Sequence, residues 1–277
     1  MQHTHISAKR RLFDLPLDEL WRYRNLVWLF TRRSFKVTYM QTVLGPLWLL
    51  IKPMLTSVTY VVLFGRIAGL STDGVPQLLF YLSGSALWSF FASCVTDNAA
   101  TFTKNVNLFG KVYFPRLVMP VSSVLSNLIL YAIQMLLSFA FLVWYVLRGT
   151  VVPHWAVWPL LPLLLFQIGA LGMGFGVIIS SLTTKYRDLQ VLVDFGVTLW
   201  MYATPVVYPL STVSGTLKRL LLLNPVSAPM ELYRYALLGV GTLDPGAIAW
   251  SVFCSLAVSF LGVVVFSRVE RSFVDTV

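Results

Sequence analysis

Long apolar runs, separated by short clusters of Gly, Pro and charged residues, dominate the chain. Six of them are long enough to cross a ~30 Å hydrocarbon core as helices rising ~1.5 Å per residue. They cover 43–64, 77–100, 117–147, 155–182, 189–208 and 246–266. The third would be about 46 Å long as one straight helix, so it must tilt or protrude. A seventh apolar stretch, 217–240, is interrupted by Asn224-Pro225 and Pro229 and carries Lys218, Arg219, Glu231 and Arg234. A lipid-facing span with those charges would cost a few kcal/mol per charge. The pattern instead predicts a re-entrant helical hairpin that enters and leaves on one side. Asn224 serves as N-cap and Pro225 as first residue of a helix that runs to Leu238 and stops at Gly239.

Ahead of the first span, Asp14, Pro16, Asp18 and Glu19 resemble a helix start with acids in its first turn. Leu20, Trp21, Leu26, Val27, Trp28 and Phe30 then interleave with Arg22, Arg24, Arg32 and Arg33, the mark of an interfacial amphipathic helix. A positive-inside anchor and a gate would share this composition. The organisation is therefore a cytoplasmic arm with an interfacial helix over 1–42, followed by a single transmembrane domain over 43–277. The fold class is an all-α integral membrane protein.

Composition agrees: 57% of the 277 residues are hydrophobic and 12% charged, against roughly 45–50% and 25% in soluble domains. The net charge of +10 sits at membrane boundaries rather than on one soluble face, which argues against nucleic acid and for an anionic leaflet. With the N-terminus inside, the cytoplasm receives the basic arm, Lys52, Lys104, Lys111, Arg116, Lys185, Arg187, Arg268 and Arg271. Only Arg66, Arg148, Lys218, Arg219 and Arg234 fall outside. Both termini are thus expected in the cytoplasm and the 217–240 hairpin outside. The first twenty residues are polar and mixed in charge, unlike a cleavable signal peptide.

Chemistry for catalysis is sparse. No G-x-x-x-x-G-K-[ST] loop occurs, and Gly110-Lys111 lacks a glycine five residues upstream. His3, His5 and His154 make no cluster, and Cys94 and Cys254 both lie in apolar runs, so neither a metal site nor a catalytic constellation is expected. Asp97 and Asp194 lie toward span ends, suited to pairing with Lys or Arg at the interface. A proton relay would need such a carboxylate near the midplane. Aromatic residues recur on the first span (Trp48, Tyr60, Phe64), the second (Trp88, Phe90, Phe91) and the fifth (Trp200, Tyr202, Tyr208). They suit either an interfacial belt or stacking on sugar rings.

Five ordered segments are recognisable: YMQTVLGPLW (39–48), NVNLFGKVYFPR (105–116), YRDL (186–189), TPVVYPLS (204–211) and LNP (223–225). They resemble the membrane subunits of ABC-2 class polysaccharide exporters, the family that moves O-antigen, teichoic-acid and capsular chains. The resemblance runs from about Arg22 to Arg271. It implies a second copy of this chain and two copies of a separate ATP-binding subunit that carries the ATP and Mg, with no cofactor on this chain. It also implies a coupling helix at 104–113, where Lys104, Asn107, Leu108, Phe109, Lys111, Val112 and Tyr113 would dock on the motor, with Tyr186, Arg187 and Asp188 as a smaller contact.

The same resemblance draws the channel walls from the first and fifth spans, hence Trp48, Tyr60, Trp200, Tyr202 and Tyr208. Arg24, Arg32 and Arg33 would receive the anionic head group of a lipid-diphosphate-linked polysaccharide, and Asn224, Pro225, Glu231 and Arg234 would belong to the external hairpin. Lys52, just before Pro53, departs from the family pattern and either snorkels to the interface or attracts a lipid phosphate. The expected function is export of such a polysaccharide, foremost O-antigen, across a bacterial inner membrane, with no enzymatic activity on this chain. The alternatives are an ABC-2 exporter of a small lipid or drug, and a proton-coupled flippase.

Overall fold

In the computed structural model, which describes residues 17–39, 45–109, 114–183 and 188–274, the chain is helical with no strand among those residues. Two helices precede the first apolar one: α1 (Leu17–Arg22) and α2 (Arg24–Tyr39). Then come α3 (Trp48–Tyr60), continued by a π-helical stretch Val61–Ile67, α4 (Gln77–Ala99), α5 (Thr101–Phe109) and α6 (Val118–Leu147). The second half holds α7 (Leu161–Thr183), α8 (Leu189–Tyr202), α9 (Gly215–Leu223), α10 (Ser227–Leu238) and α11 (Pro245–Val274).

Five stretches are long and apolar enough to cross a membrane: Trp48–Ile67, Gln77–Ala99, Val118–Leu147, Trp155–Thr183 and Pro245–Arg268. The expected span at 189–208 is instead the 14-residue α8, about 21 Å long. Residues 203–209 leave the helical path in turns, because Pro205 offers no N–H and steers Thr204 away from helical angles. The 217–240 stretch is the pair α9 and α10. The second of these begins at Ser227, two residues after the expected Pro225, and stops at Gly239, which takes the left-handed φ of 74° usual after a helix end.

Helix α4 is the hub. Its most apolar window is 72% buried, against 17% for those of α3, α6 and α11, so α4 is wrapped by the other helices while these turn much of their surface outward. Leu79, Phe80, Tyr81, Leu87, Phe91 and Cys94 of α4 form the core with Ile168 and Leu171 of α7. Close approach of the two helices rests on Gly172, where an added Cβ would lie 2.7 Å from Cys94 Cβ. On its other side α7 lies against α11, and a Cβ at Gly174 would stand 2.9 Å from the Ser259 backbone. Cys94 and Cys254 are free thiols, Cys94 buried as its apolar run suggests.

Candidate functional site

Two built regions occupy opposite ends of the bundle. At one end, α2 lies against the start of α6 through Val27 and Phe30, which pack on Phe114 and Val118 with Leu108 and Phe109 alongside. Thr31 reinforces the crossing: its hydroxyl donates to the Ser122 carbonyl (3.3 Å), and the Ser126 hydroxyl donates to the Thr31 carbonyl (3.4 Å). Arg24, Arg32 and Arg33 occupy the exposed side of α2, with Arg24 over the Trp21 ring at 5.3 Å and Arg32 over Trp28 at 5.6 Å. Spacings of three and four place Val27, Phe30 and Thr31 on one face and Trp28, Leu29, Arg32 and Arg33 on the other, with Arg24 at the border near the helix start. The helix thus shows an arginine and tryptophan surface backed by an apolar seam.

A continuous series of rings links this helix to α5 and α11. Phe30 meets Phe114 at 5.8 Å, Phe114 meets Phe109 at 5.9 Å, Phe109 meets Phe102 at 5.9 Å, and Phe102 stacks on Phe266 at 4.7 Å. Arg116 sits 5.3 Å over the Phe109 ring. Phe109 and Leu108 are half-buried and root α5 on the bundle, while Lys104 and Val106 are exposed. Lys104 pairs with Asp97 (3.1 Å), whose other oxygen accepts from Asn127 (3.1 Å). Asp97 thus makes the interfacial pairing read from its position, whereas Asp194 is exposed on α8. Asn107 falls within α5 and Asp188 just before α8. Lys111, Val112, Tyr113, Tyr186 and Arg187 lie outside the described residues.

The opposite end is organised around the segment after α8. Trp200 packs edge-on against Phe91 and Phe175, each at 5.1 Å, and donates its indole N–H to Asn224 Oδ1 at 3.1 Å. Asn224 Nδ2 donates to the Ala203 carbonyl (2.9 Å) and Thr204 Oγ1 (2.8 Å), and Oδ1 also accepts from the Val226 N–H (3.1 Å). Its neighbours in the LNP segment are held as well: Trp250 donates to the Leu223 carbonyl (2.9 Å) and Ser251 to the Pro225 carbonyl. The 223–225 segment is therefore a knot between α8, the α9–α10 turn and the start of α11; Asn224 is the C-cap of α9, and the N-cap of α10 is Val226 rather than Asn224 as expected.

Arg234 and Glu231 complete this end. Both are 1% exposed and lie 3.5 Å apart. The guanidinium donates to the carbonyls of Val206 (2.6 Å) and Tyr208 (3.2 Å) and lies 4.0 Å above the Phe80 ring. Glu231 Oε2 accepts from the Thr242 N–H (3.0 Å). Two of the four charges that make 217–240 unsuitable as a lipid-facing span, Glu231 and Arg234, are thus buried in protein, while Lys218 is half-buried and Arg219 exposed; Arg234 satisfies the carbonyls that the non-helical 203–209 segment leaves open.

Of the five aromatic residues expected in a channel, the structure brings four together at this end. The Tyr60 hydroxyl reaches Met201 Sδ at 3.3 Å, and the Tyr208 hydroxyl donates to the Tyr202 carbonyl at 3.1 Å. Tyr202 is exposed, Tyr60 and Tyr208 are half-buried, and Trp200 is committed to the Asn224 knot. Trp48 stands at the far end of α3, exposed. Trp88, Phe90 and Phe91 are buried core residues. Sequence reasoning gave no individual role to Phe114, Phe266, Thr204 and Ser251, and read Phe30 only as one apolar residue of the interfacial helix. Phe114 and Thr204 had a signal, lying in the recognisable segments 105–116 and 204–211, and Ser251 is a polar residue within the apolar α11.

Residues 25–238 match the model of the family described as ABC-2 type transporter. The chain belongs to the ABC-2 type transporter family. A relative from Myxococcus xanthus, an O-antigen export system permease protein, is 30% identical over 78% of this chain and 81% of its own. Two proteins of the same description from Klebsiella pneumoniae are 24% identical over 91% of this chain and 94% of their own. This ABC-2 transporter is a transport subunit rather than an enzyme, and it is multi-pass in the membrane. The matched segment takes in nearly all of α2, α5, the Asn224 turn and the buried Glu231–Arg234 pair, and stops short of the α11 residues Trp250, Ser251 and Phe266.

Proposed function

We propose that this chain is the membrane-spanning subunit of an ATP-driven exporter that passes a lipid-diphosphate-linked polysaccharide, an O-antigen, across a bacterial inner membrane. The observation that carries the reading is the ring series from Phe30 to Phe266, which joins the surface helix α5 to α2 and α11. A stroke delivered to α5 by a separate ATP-binding subunit would move these elements together, since packed aromatic contacts transmit displacement as a body. The relatives named as O-antigen export permeases, matched over most of their length, support the cargo.

In the proposed assembly two copies of the chain enclose the conduit and each binds one ATP-binding subunit. The outward apolar side chains of α8, Val191, Leu192, Phe195 and Leu199, together with Leu55 and Val58 of α3, offer surface for a second copy. Six crossings count α8 and its turn as the fifth, with α9 and α10 as a hairpin that enters from outside and both termini in the cytoplasm. Exposed Arg24, Arg32 and Arg33 suit a diphosphate, since guanidinium pairs with phosphate oxygens in two-pronged fashion. Tyr60, Tyr202 and Tyr208 offer faces along which a glycan slides.

Gentle purification of the tagged chain from its native membrane, with mass spectrometry of what accompanies it, tests the assembly. A P-loop protein at one copy per chain, and loss of surface polysaccharide on deletion of either gene, are expected. Export continuing without any ATPase would sink the proposal.

A further inference from the structure

Between α3, α4 and α6 lies a crevice of about 340 Å³ that neither the ring series nor the 203–209 segment uses. Lys52, Thr56, Ser85, Ser89, Ser93, Asn127 and Gln134 supply its polar lining. Trp48, Leu49, Pro53, Phe90 and Leu130 supply apolar wall. Asn127 to Gln134 spans two turns of α6, about 10 Å along the bundle. One end abuts the α2 crossing, because Ser126, next to Asn127, is bonded to Thr31.

Three observations describe what this crevice would hold. Its lining bears a single formal charge, the Lys52 ammonium, which is exposed and has no ion-pair or hydrogen-bond partner among the described residues. The nearby carboxylate of Asp97 is occupied by Lys104 and by Asn127, so it does not neutralise Lys52. The side chains of Thr56, Ser89, Ser93 and Gln134 likewise make no hydrogen bond within the described chain, and Ser89 and Ser93 stand one turn apart on the same face of α4. Several free donors around one cation, in a site without a carboxylate, fit an anion with several oxygens.

Access decides the source of that anion. The crevice lies among apolar spans, and its outer walls, α3 and α6, are only 17% buried in their most apolar windows. Trp48 at its mouth is 44% exposed, as suits a residue at the edge of a bilayer. A ligand arriving from that side is a lipid, whose chains remain among their fellows while its head group enters the crevice. We infer that the crevice is a binding site for the phosphate group of an anionic membrane lipid, one of net negative charge, with Lys52 as the charged partner and Ser89, Ser93, Thr56 and Gln134 as donors. The site needs only a bilayer and holds whichever cargo the protein moves. Since Lys52 and Thr56 belong to α3, Ser89 and Ser93 to α4 and Gln134 to α6, the bound head group ties three spans together.

The test uses the full-length protein, freed of lipid in mild detergent, with native mass spectrometry and thermal unfolding as readouts. Phosphatidylglycerol, a polyprenyl diphosphate, phosphatidylcholine and inorganic phosphate are added separately. One phosphatidylglycerol or polyprenyl diphosphate should be retained per chain, ahead of phosphatidylcholine, and should raise the unfolding temperature. Lys52→Met should weaken retention by at least about tenfold, as loss of a charge-assisted hydrogen bond implies. Arg219→Met, at an exposed site on α9, should leave retention unchanged. If Lys52→Met fails to fold, the paired Ser89→Ala and Ser93→Ala substitutions keep the ammonium and should weaken retention severalfold. Tighter polyprenyl diphosphate identifies the carrier lipid as occupant and tighter phosphatidylglycerol a resident lipid; either supports the site. Equal retention by wild type and Lys52→Met, equal retention of phosphatidylcholine, or stabilisation by inorganic phosphate in place of lipid would overturn it.

Discussion

Trp200 donates its indole N–H to Asn224 Oδ1 across 3.1 Å, binding the last turn of α8 to the turn between α9 and α10. Two residues on, Tyr202 is 50% exposed. At about 100° of rotation per residue, two positions reach nearly opposite faces of a helix. Neighbouring aromatic residues of one apolar run thus have unlike tasks.

Trp200→Phe should keep the edge contacts to Phe91 and Phe175 and lose only the indole donor. Interhelical hydrogen bonds in membranes average about 0.6 kcal/mol, so a small fall in unfolding temperature is expected. Asn224→Leu removes four bonds and leaves the Trp200 donor unpaired, so its fall should be severalfold larger. Thermal unfolding in detergent compares the two variants, and equal falls would count against the knot.

Tyr202→Ala should behave in the opposite way. Unfolding temperature stays as in wild type, because the ring is exposed and its carbonyl, which Tyr208 uses, is retained. Polysaccharide export should slow severalfold if the ring guides glycan. Surface polysaccharide measured at equal protein level checks this, and normal export removes Tyr202 from the channel.

Arg234→Met should be the most damaging single change described here. It leaves Glu231 buried beside a vacated partner and frees the Val206 and Tyr208 carbonyls, a class of change that costs about 3–5 kcal/mol. The double variant Glu231→Gln with Arg234→Met should recover part of that loss. Yield of folded protein and thermal unfolding provide the measurement.

Phe109→Ala breaks the ring series between Phe114 and Phe102 while leaving the spans intact. In the assembled exporter, ATP turnover should continue and export should fall, so that more ATP is consumed per unit of polysaccharide moved. Simultaneous assay of both quantities decides the matter. An unchanged ratio would show that α5 is not coupled through Phe109.

Gly172→Ala should destabilise despite its small size. The new Cβ would sit 2.7 Å from Cys94 Cβ and 3.1 Å from the Phe91 carbonyl, forcing α4 and α7 apart. Thermal unfolding should fall by several degrees, and Gly196→Ala, with nothing within 4 Å of its added methyl, provides the matched control.

Much of the architecture was legible along the chain. The apolar runs placed α3, α4, α6, α7 and α11 nearly at their ends, because crossing length and backbone satisfaction impose a continuous helix. The charges of 217–240 marked it as different, and the structure answers with two short helices and a buried pair. Asn224 was legible as a residue closing a turn, and Gly239 as a helix stop. The shortness of α8 was harder to read, since Pro205 ends the helix while the apolar run continues beyond it.

The side chains within those runs were another matter. In water an apolar stripe reveals which face of a helix packs inward, but in a bilayer lipid and protein core are both apolar, so inward and outward faces read alike. Local sequence therefore determined where helices begin, end and cross, which depends on length, proline, glycine and charge. Tertiary structure alone decided that Phe91 is core with Trp200 packed on it, that Phe109 roots α5 on the bundle, and that Arg234 grips the segment after α8. Those assignments depend on which helices meet, and that is set by close approaches such as Gly172 on Cys94 and by hydrogen bonds such as Asn224 with Trp200, between residues far apart in the chain.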